Sequence, residues 1–119
     1  MAEVKLTEEA REDFLDLDGA SRRVVAKALG KLRTDPHVRG QPLGNRAGGD
    51  LTTFRKLVVG NRDYRIIYRI EPDGTVVVVW VIAKRADNEA FELAMSRVRL
   101  HADAAVRELA ASLEQIWDR

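Results

Sequence analysis

Residues 51–59, 63–71 and 75–84 are three apolar-rich runs rich in β-branched and aromatic residues, and their spacing restricts the fold more than any other feature of the chain. Gly60-Asn61 and Pro72-Asp73-Gly74 separate them. Such residues supply the positive or fixed φ that a tight reversal needs. Connections this short join neighbouring strands that run in opposite directions, because a parallel crossover takes a dozen or more residues. The prediction is a small antiparallel sheet. Residues 76–81 are apolar at every position, which predicts a central strand buried on both faces.

Side chains alternate across a strand. Tyr64, Ile66, Tyr68 and Ile70 therefore point to one face, and Arg65, Ile67 and Arg69 to the other. A mid-strand arginine is costly to bury alone. Arg65 has two readings: a cross-strand ion pair with Asp63 or Glu71, or a forked donor to phosphate. Arg55 and Lys56 lie on opposite faces of their strand, so only one shares a cleft with Arg65, and Lys56 is favoured. Lys84-Arg85 closes the last strand just before a helix opened by Asp87, a position suited to holding an anion.

Charge is segregated along the chain. The formal net charge is only +1. Residues 22–85 nevertheless hold fourteen cations against five anions, while residues 1–21 hold two cations against seven anions. A cationic middle between acidic ends implies a polyanionic partner met by one surface.

The flanking segments read as helices. Thr7 caps a first helix with Glu8 and Glu9 in its opening turn, after a short strand at Val4 and Leu6. Asp18-Gly19 breaks it, Ser21 caps the next, and Asp35-Pro36 ends that one. The two form an antiparallel hairpin. Residues 35–50, with Pro36, Pro42 and four glycines, read as one loop. No glycine or proline follows Gly74, and a helical stripe runs from Ala90 to Ile116. That helix would exceed the width of the domain, which predicts either a break near Leu100-His101 or a tail packed on another chain.

Several chemistries are excluded. There are no cysteines, hence no disulfide or thiol site, in keeping with a reducing cytoplasm. His37 and His101 lack metal-ligand spacing and read as surface residues, so neither a metal nor another cofactor is expected. The glycines are followed by no Lys-Ser or Lys-Thr pair, and Ser21, Ser96 and Ser112 lack the turn of a nucleophilic serine. The N-terminus has no signal-peptide run and no segment is apolar enough to span a bilayer, so the expected location is cytoplasmic. At 119 residues the chain suits one α+β domain, residues 1–100, with residues 101–119 as its C-terminal helical extension.

The order of helical hairpin, glycine-proline loop, Phe54-Arg55-Lys56-Leu57, Asp63-Tyr64-Arg65-Ile66-Ile67-Tyr68 and Val81-Ile82-Ala83-Lys84-Arg85 resembles the RelE/ParE superfamily of type II toxin–antitoxin toxins, the RelE branch above all. The resemblance covers about residues 3–100. It implies a sheet flanked by helices, as in small microbial ribonucleases, and cleavage of mRNA in the ribosomal A site by attack of a 2′-hydroxyl on the adjacent phosphate. It implies catalytic roles for Arg65, Arg85 and Lys56 and RNA contacts from Arg55, Arg62, Lys84 and Phe91. It further implies a cognate antitoxin, with the ribosome and mRNA as targets. Where such toxins carry a second strand lysine and a helix tyrosine, this chain has Val58 and Phe91. Those departures favour the alternatives: a ParE-like inhibitor of DNA gyrase, or an RNA- or partner-binding module without turnover. The stripe through Val106, Leu109, Leu113 and Ile116 has three uses: covering the core, forming a homodimer, or receiving the antitoxin.

Overall fold

The computed structural model describes residues 2–46, 49–61, 63–84 and 89–102. Five strands form one sheet: β1 (Glu3–Leu6), β2 (Gln41–Arg46), β3 (Gly49–Val59), β4 (Tyr64–Ile70) and β5 (Val76–Ala83), in the order β1-β5-β4-β3-β2. Helices α1 (Glu8–Leu15) and α2 (Gly19–Lys31) form the expected hairpin, and α3 covers residues 89–102. The predicted α+β class and the antiparallel run β3-β4-β5 are observed.

Four details differ from expectation. The strand β1 pairs with β5 in parallel, Glu3 opposite Val76 through Leu6 opposite Val79. The middle of the sheet is β4, with β5 one place to its side. The segment read as one loop contains a 3₁₀ turn (Pro36–Val38) and the edge strand β2. Pro42 is tolerated there because the β2–β3 ladder is irregular between Pro42 and Gly44. Asp18, not Ser21, caps α2: its Oδ1 accepts the Ser21 N–H at 2.8 Å. Thr7 caps α1 as expected, its Oγ1 accepting the Ala10 N–H at 3.2 Å. No break occurs at Leu100-His101, which lie within α3; residues 103–119 are outside the described residues.

The sheet has two covered faces. The hairpin face packs Val25, Ala28 and Leu32 against Ile66, Tyr68, Val77, Val79 and Ile82. The opposite face packs Ala90, Phe91 and Ala94 of α3 against Phe54, Ile67, Val81 and Ala83. Facing parity changes within β5, because Tyr68 pairs with Val79 while Ile67 pairs with Val81. Trp80 is thus the extra residue of a β-bulge. Its ring meets Phe54 edge-on, centroids 5.7 Å apart.

The bulge lies where β1 has already ended. There Asp13 Oδ2 accepts the Ile82 N–H at 3.0 Å and Arg97 donates to the Trp80 carbonyl at 2.9 Å. Arg97 also grips both oxygens of Asp13, at 2.6 and 2.9 Å. One turn further along α3, His101 Nε2 stands 3.1 Å from Glu9 Oε1. These pairs fasten α3 to α1 and to the sheet.

Candidate nucleic-acid interface

The strand register decides which cations meet. Val58 pairs with Arg65 and Arg65 with Ala83, so these three share one row on the α3 face. Lys56 pairs with Ile67 in the next row of the same face, a diagonal neighbour of Arg65. Both cations are partly exposed, and Lys84 follows β5 in an exposed position. Lys56 and Arg65 therefore lie on the α3 face at one end of the sheet, whereas Lys84, one residue past Ala83, has the opposite parity and acts on the Asp18 carboxylate at the start of α2. Arg62 and Arg85 lie outside the described residues.

Arg55 does not join them. It sits on the hairpin face opposite Tyr68, and its Nη2 donates to the Gly40 carbonyl at 2.6 Å. Gly40 approaches so closely that a Cβ there would lie 2.5 Å from the Lys56 carbonyl oxygen. Arg55 thus ties the incoming loop to β3, which corrects its expected role as an RNA contact. Phe91 is corrected as well. Its ring is 3% exposed within the core between α3 and the sheet, so it is not offered to a base. Neither tyrosine reaches the cationic face. The Tyr64 hydroxyl donates to Ser21 Oγ and the Tyr68 hydroxyl to the Pro36 carbonyl, each at 2.7 Å. Burial raises the Tyr68 pKa, with Arg55 opposing the shift.

Two further cations belong to this region. Arg69 shares the Arg65 face, its guanidinium 5.9 Å from the centre of the Phe54 ring. Its spacing of four from Arg65 in one strand is the signal that places it there. Arg39 lines a hollow of about 310 Å³ together with Gly40, Gln41, Lys56, Leu57 and Val58. Nothing local marks it, since it precedes β2 in a loop. The Asp13–Arg97 pair was equally invisible; Arg97 has a raised pKa because its hydrogen bonds to Asp13 hold the charged form. Among the described residues no three His, Cys, Asp or Glu side chains converge on a metal position, and no helix is long and apolar enough to cross a membrane.

This fold, a mainly antiparallel sheet with a helical hairpin on one face and a helix on the other, is shared with known toxins. The isolated RelE toxin of Escherichia coli superposes with a TM-score of 0.58 over 82% of this chain and 99% of its own, at 18% identity, which is a likeness of fold. A chain of the toxin–antitoxin complex RelBE2 from Mycobacterium tuberculosis is 31% identical, with a TM-score of 0.60 over 71% of this chain and 92% of that one. A putative RelE-like toxin protein of Escherichia coli is 25% identical over 97 residues, 82% of this chain and 97% of the relative. Residues 4–89 match the family of ParE toxins of the type II toxin–antitoxin system parDE. The chain belongs to that family of toxins, within the RelE/ParE superfamily.

Proposed function

We propose that this protein is a RelE-type toxin that cleaves mRNA on the ribosome and is held inactive by a cognate antitoxin. The observation that carries the reading is the common face of Lys56 and Arg65 at one end of the sheet. A 2′-hydroxyl attack on phosphate builds negative charge on the non-bridging oxygens. A forked guanidinium at Arg65 and an ammonium at Lys56 are suited to stabilise it, with Arg85 as the second arginine the resemblance implies. Lys84, from the other side of the strand end, would meet the flanking backbone instead of the reacting phosphate. Val58, directly opposite Arg65, supplies neither charge nor proton, and buried Phe91 has no hydroxyl. Loss of one positioned acid or base costs about 10²–10⁴-fold, so cleavage slower than that of a toxin with the full set is expected. The test is cleavage of a defined message on programmed ribosomes by purified protein. Activity that Arg65→Ala and Lys56→Ala both remove supports the reading; absence of cleavage, or cleavage equal in all three proteins, ends it.

Val58 and Phe91 favour a second reading, a gyrase poison that needs no nuclease site, and the ParE family match agrees with it. Supercoiling by purified gyrase in the presence of the protein separates the two. The antitoxin partner is supported by the RelBE2 complex, in which the similar chain was crystallised with its antitoxin. Homodimerisation through the C-terminal helix belongs to this proposal too, with Leu100 of α3 57% exposed at its described end.

A further inference from the structure

The bulge in β5 settles which residue stands opposite Arg65. Toward the start of β5 the ladder is regular: Ile70 faces Val77, Arg69 faces Val78 and Tyr68 faces Val79. Continued without interruption, it would set Ile82 opposite Arg65. The extra residue, Trp80, moves the register by one, so Ala83 takes that place and Ile82 pairs with Ile66 on the hairpin face. Such a slip sends every later side chain to the other face of the sheet. A methyl group, in place of a branched side chain, is therefore the cross-strand neighbour of the partly exposed Arg65.

A bulge disrupts the ladder locally, so something else must hold it. The strand β1 does not, since its last pair is Leu6 with Val79. Past that point the Trp80 carbonyl and the Ile82 N–H, on either side of Val81, are both taken by side chains. Arg97 Nη1 donates to the carbonyl at 2.9 Å, and Asp13 Oδ2 accepts from the N–H at 3.0 Å. A C=O and an N–H two residues apart are the couple that one residue of a parallel strand satisfies. Asp13 and Arg97, joined to each other at 2.6 and 2.9 Å, thus stand in for the next residue of β1. They come from α1 and α3, and their side chains are mostly buried.

We propose that Asp13 and Arg97 are positioning residues for the basic site: they pin the β5 bulge and so keep Ala83, not Ile82, opposite Arg65. They act through the strand, by holding the two main-chain groups that flank Val81. With the clasp removed, the regular ladder competes with the bulged one. Ile82 then turns to the α3 face, and its branched side chain pushes the Arg65 guanidinium from the place where a phosphate meets it. The effect on cleavage rests on the nuclease reading; the effect on register does not.

The test joins NMR to kinetics. Asp13→Leu removes the acceptor and the carboxylate, and the cross-strand contacts of Arg65 should move from Ala83 to Ile82. Cleavage on programmed ribosomes is then measured at a temperature where circular dichroism shows each protein folded. There kcat should fall about 10²-fold with KM little changed, the usual loss when a reacting group is displaced by about 1 Å. Asp13→Asn keeps an oxygen for the Ile82 N–H and should recover the register and part of the rate. Arg97→Lys, with an ammonium in place of the fork, should lose part of both, and it decides the matter if Asp13→Leu does not fold. A variant that is less stable yet keeps Ala83 opposite Arg65 and the full kcat per folded molecule assigns the pair to stability alone and overturns the proposal. A shifted register with unchanged kcat overturns it as well. Wild-type protein that cleaves no message sinks the nuclease reading instead, and the NMR register then decides the clasp by itself.

Discussion

The two faces of the sheet employ similar residues for opposite ends. On the hairpin face, polar groups are spent on the fold: the Tyr64 and Tyr68 hydroxyls and the Arg55 guanidinium each bind another part of the chain. On the α3 face, Lys56, Arg65 and Arg69 lie along a sheet whose other members are apolar. Arg55 and Arg65 belong to adjacent strands, yet parity alone sends one to anchor a loop and the other to the basic end. An arginine's identity therefore says little about its role until its face is known.

This contrast can be broken experimentally. The largest expected effect concerns what holds α3 on its face. Asp13→Ala leaves Arg97 without its carboxylate and the Ile82 N–H without an acceptor, at side-chain exposures of only 14% and 18% for Arg97 and Asp13. Breaking such a mostly buried pair should cost about 3–5 kcal/mol in urea unfolding. A loss below about 1 kcal/mol, the range of an exposed pair, would show that apolar packing alone seats α3.

Next comes Arg65→Ala, which should lower cleavage by about 10²–10³-fold, the usual loss of one charge-stabilising donor, while thermal stability stays near wild type. A large drop in Tm would instead assign Arg65 to the fold and erase the difference between the faces. Tyr68→Phe should do the reverse. It removes a buried hydrogen bond worth about 1–2 kcal/mol and leaves cleavage unchanged. It also acts at high pH. Because burial raises the Tyr68 pKa above 10.0, the folded state keeps its proton longer than the unfolded chain, so stability falls as pH rises beyond that value. The phenylalanine variant should lose that part of the alkaline decline.

The smallest effects lie at the helix caps of the hairpin. Thr7→Ala should cost about 1 kcal/mol through the lost Ala10 N–H partner. The Asp18 carboxyl is held below 3.8 by the N–H of Ser21. Its folded pKa is lower than its unfolded one, so its contribution is present above about pH 4 and fades as pH falls through the folded value. Asp18→Asn should keep the cap and flatten that acid limb in pH-dependent thermal melts; an unchanged acid limb would place its origin elsewhere, in Glu9 or Asp73.

Much of this architecture was written locally. Alternation assigned Tyr64, Ile66, Tyr68 and Ile70 to one face and Arg65 and Arg69 to the other, and turn residues made β3, β4 and β5 an antiparallel meander. Gly60 and Asn61 do take positive φ, 63° and 57°, as their types allow. These features follow from the pleat and from backbone sterics within a few residues, so the sequence by itself determined them. Tertiary structure decided the rest: the parallel seat of β1, the pairing of β2 from a segment with no apolar rhythm, the bulge at Trp80, the burial of Phe91 and the use of Arg55. Each depends on which distant group fills a vacancy at a strand edge or over a sheet face. Asp13 meets Ile82 across 69 positions and Arg97 across 84, and no local pattern in the chain encodes a partner that far away.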